Sequence, residues 1–272
     1  MPLVNPLAPC ALPLAGIGPH AIMAGQSPRE DALRTHIFHS GYWVITVMMG
    51  VLVVAPATLI PGRWATVGAI WLYTRALTGW MALCGLKLLV RRLHVLPDTE
   101  PAVLASKHQS WGDGICLVSR HRELTYVIGD HMLKYPLVGW ILRRLEAVVV
   151  DNAGGKRTGG GFDTGLEALK RSGRDVLIYP EGGLSQVGTK KRYRLGVYRL
   201  ARELGRPVIP VATNLGVFWP QQKWEFHPGL AIIELLDPIH PGDDPKAFIA
   251  ALEAAIETRT AELVKAGLRG RR

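Results

Sequence analysis

The chain has 272 residues, enough for one large domain or a domain with an appendage, and 48% of them are apolar. A formal charge of +10, from 32 Lys and Arg against 22 Asp and Glu, calls for a polyanionic partner: nucleic acid, anionic lipid headgroups or a phosphorylated substrate. Positive mean hydropathy together with uncharged segments favours lipid and argues against nucleic acid, and Cys10, Cys84 and Cys116 are too few and too scattered for a disulfide framework or a zinc site.

Residues 1–26 are rich in Pro, Ala, Gly and Leu and carry no basic segment ahead of an apolar one, so a poorly ordered lead is expected rather than a signal peptide. Ser27 and Pro28 form a helix start, with Ser as cap and Pro in the first turn. A lead with a short helix thus occupies 1–41. Tyr42 to Ile60 is free of charge, Pro61–Gly62 marks a turn, and a second apolar stretch from Trp64 to Val90 is broken only by Arg75 and Lys87. A bilayer core takes roughly 20 apolar residues, so the first stretch is just long enough to cross. Arg75 would be costly at the midplane of a spanning helix. Residues 42–94 therefore form a two-helix membrane anchor that either spans as a hairpin or dips in from one face; a buried helical pair in a soluble protein is the third reading. Arg91, Arg92 and His94 follow at once, as anchoring on the cytoplasmic side expects.

From residue 95 to 272 the pattern changes. Candidate strands at 102–106, 124–129, 146–151, 175–180, 207–213 and 230–236 alternate with helical stretches near 112–121, 137–145, 161–171 and 196–204. That alternation predicts an α/β domain with a largely parallel central sheet flanked by helices. Asp244–Pro245 opens a last helix with Phe248, Leu252, Ile256 and Leu263 on one packing face.

The segment Ser106-Lys107-His108-Gln109-Ser110-Trp111-Gly112-Asp113 follows a strand directly, where parallel α/β sheets gather their active sites. His108 and Asp113 would lie about 140° apart on one continuous helix, so they can meet only with His108 on the loop and Asp113 in the first helical turn. In that arrangement the carboxylate fixes the imidazole and leaves its other nitrogen as a base; the spacing alone, being short, fits a structural histidine beside a capping aspartate better. A second cluster, Tyr179-Pro180-Glu181-Gly182-Gly183-Leu184-Ser185, closes another strand. Its glycines allow close backbone approach, and Lys190, Lys191, Arg192 and Arg194 follow as either phosphate contacts or a solvated charged face. The Gly-rich run after Asp151-Asn152 lacks the spacing of a nucleotide-binding loop, and Lys156 and Arg157 there are either headgroup contacts or part of a connector.

Taken together these motifs resemble the glycerolipid acyltransferases typified by bacterial 1-acylglycerol-3-phosphate acyltransferase. His108 to Asp113 looks like the family's His-x4-Asp motif, Tyr179–Gly182 like its Phe-Pro-Glu-Gly-Thr-Arg motif, and Val208-Ile209-Pro210-Val211 like its apolar proline-containing motif, over roughly residues 95–240. The resemblance implies an acyl-CoA or acyl-carrier-protein donor, a lysophospholipid acceptor and no metal or other cofactor. It implies His108 as general base, Asp113 as its orienting partner, Glu181 helping to hold the acceptor and Pro210 shaping the site. Gly182 and Gly183 are expected beside Glu181 as substrate contacts, and the expected location is the bacterial inner membrane with the catalytic domain on the cytoplasmic side. Two departures stand out: Gly183-Leu184 replaces Thr-Arg, and Asn152 stands where a second motif carries arginine. Either Lys156, Arg157, Lys190, Lys191, Arg192 or Arg194 supplies the missing cations for lysophosphatidic acid, or the acceptor is a lyso-ornithine lipid or another lysolipid. A catalytically inactive, membrane-anchored binder of anionic lipid is the reading from a different class.

Overall fold

The structure, a computed structural model, describes residues 28–97, 100–150, 161–221 and 223–271. The expected N-terminal lead, the Ser27 cap, Cys10, Asn152, Lys156 and Arg157 lie outside the described residues. Helix α1 (Pro28–Met49) runs through a π turn (Gly50–Val54) into α2 (Ala55–Leu59), so the expected short leading helix and the first apolar stretch are one helix. Nothing between them breaks it: Gly41 sits inside because Trp80 presses against its backbone, and an added Cβ would lie 2.2 Å from Trp80 Cε2. The π turn widens the helix just before Pro56, which cannot donate to the ladder.

Gly62, at φ +82°, makes the expected turn into α3 (Trp64–Leu83). The second apolar stretch then divides. α3 stops at Leu83, Gly85 takes φ +96°, and Leu86–Arg91 is strand β1 rather than helix. Its alternation places Leu86, Leu88 and Val90 on the more buried face and Lys87, Leu89 and Arg91 outward, a two-residue period that a continuous apolar count conceals.

The remaining elements follow in order: β2 (Val103–Ser106), α4 (Asp113–Val118), β3 (Leu124–Gly129), α5 (Pro136–Arg144), β4 (Val148–Val150), α6 (Gly161–Ser172), β5 (Asp175–Ile178), α7 (Gly196–Leu204), β6 (Val208–Thr213), the short α8 (Leu215–Phe218), β7 (Gly229–Leu235) and α9 (Pro245–Gly270). All six expected strands are present. The sheet order is β1-β7-β6-β2-β5-β3-β4, parallel except where β7 meets β6 antiparallel. The fold is thus mixed α/β with a mostly parallel sheet. Central strand β2 is buried along its length: Val103 and Ala105 pack on one face with α6, α7 and the first half of α9, and Leu104 faces the other with α3 and α4. The Asp244 side chain caps α9 by accepting from the Lys246 and Ala247 N–H groups, and Phe248, Leu252, Ile256 and Leu263 are buried as expected.

The helical hairpin lies against the domain at both ends. At its base Phe38 stacks on Phe226 at 3.7 Å and meets Trp219 edge-on at 5.0 Å. At its tip Val54, Ala57 and Ala69 pack with Ile141 of α5, and Arg63 pairs with Glu146 at 3.8 Å. Among the described residues one helix, Arg29–Leu59, is long and apolar enough to cross a membrane. Its outer stripe, including Val44, Val47, Val51 and Leu52, is exposed.

Candidate active site

Strands β2, β3 and β5 run parallel, so the loops after them share one edge of the sheet. His108 follows β2 on a loop and Asp113 is the first residue of α4, the arrangement that lets a pair five residues apart meet. His108 Nδ1 lies 3.1 Å from Asp113 Oδ2. The same oxygen accepts the Gln109 and Ser110 N–H groups, both at 2.8 Å, so one buried carboxylate shapes the loop and aims the ring. A carboxylate accepts, which assigns the imidazole proton to Nδ1 and leaves the Nε2 lone pair open. The ring is also clamped by Tyr179, stacked at 3.7 Å and 11°. Burial, with the Asp113 charge adding to it, pushes the Tyr179 phenol well above its ordinary value, so the clamp is a neutral ring at any working pH.

Gly112 is required for this turn: a Cβ there would lie 2.5 Å from the Trp219 ring. The helix-start N–H groups are largely engaged, Gly112 with Ser110 Oγ and Asp113 with the Ser110 carbonyl, which leaves the Trp111 N–H without a partner among the described residues of the loop 108–113. Cys116, one turn into α4, is fully buried; burial first, and then the Asp113 charge, pushes its thiol up, so it is not a thiolate nucleophile.

Glu181 occupies the centre of the second motif, but its carboxylate faces inward. Oε1 accepts the His108 N–H at 3.0 Å, and Oε2 accepts from Lys107 Nζ at 3.0 Å. Lys107 is fully buried and reaches Glu257 Oε1 of α9 at 2.7 Å and the Thr189 carbonyl at 3.2 Å. Tyr193 OH donates to the same Glu257 oxygen at 2.9 Å. Ser185 holds the His108 carbonyl through its N–H at 2.8 Å and its hydroxyl at 3.1 Å. The site loop is therefore fixed at both backbone ends of His108 by the segment after β5. Sequence reasoning did not single out Lys107, Glu257 or Ser185. A lysine inside a run of polar residues signals little until α9, about 150 residues away, is seen to bring it a carboxylate.

The other expected site residues divide. Gly182, at φ +71°, lies under the Arg194 guanidinium: a Cβ there would sit 2.5 Å from Arg194 Cζ. Arg194 also donates its N–H to the Pro180 carbonyl at 2.9 Å. Gly183 faces open space. Lys190 pairs with Glu253 at 2.6 Å, and Lys191 donates to the Leu184 carbonyl at 2.6 Å. Arg192 and Arg194 have no carboxylate partner among the described residues. Pro210 is buried in the sheet, in register with Ala105 of β2. Among the described residues no group of three His, Cys, Asp or Glu side chains stands in a metal-holding arrangement.

The chain as a whole, with this strand-end histidine and aspartate inside it, is similar to known proteins. The family model described as Acyltransferase matches residues 87–214, which contain His108, Asp113, Tyr179 and Glu181 but not Trp219, Glu253 or Glu257. The 1-acyl-sn-glycerol-3-phosphate acyltransferase of Pseudomonas aeruginosa is 31% identical over 85% of this chain and 90% of its own. The chain belongs to the acyltransferase family. The mouse 1-acyl-sn-glycerol-3-phosphate acyltransferase alpha is 27% identical over 69% of this chain and 68% of its own. The crystal structure of the 1-acyl-sn-glycerophosphate acyltransferase of Thermotoga maritima shares the fold, with a TM-score of 0.69 over 86% of this chain and 96% of that one, at 21% identity.

Removing the cation from the buried Lys107 network strands two carboxylates. Lys107→Met should lower the unfolding free energy by about 3–5 kcal/mol in a denaturant titration. A loss within experimental error would show that the three charges are not coupled.

Proposed function

We propose that the protein transfers an acyl chain from a thioester to the free hydroxyl of 1-acylglycerol-3-phosphate, giving phosphatidic acid. The observation that carries this is the open Nε2 of a histidine whose Nδ1 is tied to Asp113. The names of the relatives, the Pseudomonas aeruginosa protein above all, support the choice of acceptor. His108 Nε2 takes the hydroxyl proton as the oxygen attacks the thioester carbonyl. Asp113 stabilises the imidazolium that forms. Collapse of the tetrahedral intermediate breaks the C–S bond, and the departing thiolate takes the proton back. The donor is acyl-CoA or acyl-carrier protein, the two common thioesters with this leaving group.

Arg194 is the cation that stands in for the arginine replaced by Leu184. Its guanidinium lies over the glycine turn, has no carboxylate partner among the described residues, and presents a planar fork suited to a phosphomonoester. This favours lysophosphatidic acid over a phosphate-free lysolipid. Glu181 acts through the His108 backbone, not on the acceptor. The hairpin associates with one leaflet, because a helix tip paired with Glu146 and packed on α5 stays on the side of the catalytic domain. That side is the cytoplasmic one in this reading, with Arg91 and Arg92 following the hairpin.

His108→Ala should cut turnover by about 10²–10⁴-fold in detergent-solubilised protein that still folds; near-normal turnover would end the base assignment. Arg194→Met should raise the KM for lysophosphatidic acid about 10-fold or more while the donor KM stays put. A KM unchanged for both substrates would remove Arg194 from the phosphate site.

A further inference from the structure

The segment Lys134-Tyr135-Pro136-Leu137-Val138-Gly139-Trp140-Ile141-Leu142-Arg143-Arg144 is more than a crossover between β3 and β4. Two of its positions are committed: Ile141 packs into the cluster of Val54, Ala57 and Ala69, and Gly139 is so close to the preceding turn that a Cβ would lie 2.7 Å from the Leu133 carbonyl oxygen. The large apolar side chains of Tyr135, Leu137, Val138 and Trp140 are not. Tyr135 is 60% exposed, and Leu137, Val138 and Trp140 are each exposed by nearly two-fifths. Four exposed large apolar side chains within six residues, three of them on a helix of nine residues, are unusual on a solvated surface. Lys134, Arg143 and Arg144 frame them, with no carboxylate partner among the described residues.

The patch does not end with α5. The helix lies against α2, and beside it the hairpin turn exposes Leu59 and Trp64, with the Arg63 guanidinium 4.7 Å above the Trp64 ring. Helix α1, which runs on into α2, carries its own exposed apolar stripe. Aromatic rings with apolar bodies and polar tips, flanked by cations, are the side chains that settle at the boundary between acyl chains and anionic headgroups.

We propose that α5 and the turn before it form a second membrane-contact element, occupied by an anionic lipid surface: Tyr135, Leu137, Val138 and Trp140 enter the acyl boundary, and Lys134, Arg143 and Arg144 meet headgroup phosphates. This rests on the reading above that the hairpin binds a membrane. α5 begins at the carboxyl end of β3, the sheet edge that also carries His108 and Glu181. Two contact elements, hairpin and α5, fix the tilt of the domain where one would leave it free to rock. The site edge is then held at headgroup level, where a lysolipid phosphate and hydroxyl lie.

The test uses the full chain with Cys10→Ser and Val138→Cys, labelled with an environment-sensitive fluorophore; Cys84 and Cys116 are buried. Vesicles are phosphatidylglycerol in phosphatidylcholine, or phosphatidylcholine alone. The label should brighten and shift to the blue on binding, more on the anionic vesicles. A second variant, Val138→Glu with Trp140→Glu, should weaken vesicle partitioning about tenfold, leaving turnover of a short-chain, water-soluble substrate unchanged. Vesicle binding with an unaltered label and an unweakened double variant would place α5 in water, or against a protein, and overturn the inference while sparing the hairpin. Absence of vesicle binding by the parent chain would overturn the membrane reading and this inference with it.

Discussion

A single buried cation organises the site. Lys107 has no contact with water, and an isolated ammonium in that position would be strongly destabilising, so its three acceptors are a condition of the fold. Each acceptor comes from a different part of the chain: Glu181 after β5, the Thr189 carbonyl in the loop beyond, and Glu257 in the middle of α9. Satisfying Lys107 therefore requires that the β5 turn, the following loop and the C-terminal helix all be in place. Because Glu181 spends its second oxygen on the His108 N–H, the same requirement sets the position of the imidazole. The chemistry at His108 is thus tied to a helix that begins well past the matched family region.

The ring itself is held from three directions. Asp113 fixes its tautomer, Tyr179 its plane, and Ser185 the carbonyl of its own residue. Asp113 is at once orienting partner and turn-maker, since the carboxylate oxygen that meets Nδ1 also binds two consecutive backbone N–H groups. Such a loop has little freedom to let the imidazole wander, and preorganisation of this kind is what the proposed proton acceptor needs in a transition state.

Much of this was legible in the sequence because periodicity and position speak directly. Short β-branched runs gave all six expected strands, Gly62 and Asp244 marked a turn and a cap, and the polar segments around His108 and Glu181 lie at strand ends as expected. What was not legible depended on distance or on competing patterns. β1 hid inside an apolar run, since Leu86, Leu88 and Val90 read as helix continuation until Gly85 is seen to break it. Glu181 reads as a ligand contact from its place beside two glycines, yet its partners are Lys107 and a backbone N–H that no local spacing reveals. Pro210 lies in the sheet because its missing N–H is tolerated in β6, where its carbonyl still accepts from Leu236. Of the basic run after the turn, geometry separates Lys190, paired with Glu253, from Arg194, poised over Gly182.

The most direct measurement is the steady-state kinetics of Glu181→Gln in folded, detergent-purified protein, varying lysophosphatidic acid at saturating donor. A glutamine keeps an acceptor for the His108 N–H but removes the charge that Lys107 requires, so the loop should shift: kcat should fall while the KM for lysophosphatidic acid stays close to that of the parent. An unchanged kcat with a raised KM would contradict the account, because it would make Glu181 a contact to the acceptor rather than the support of the base.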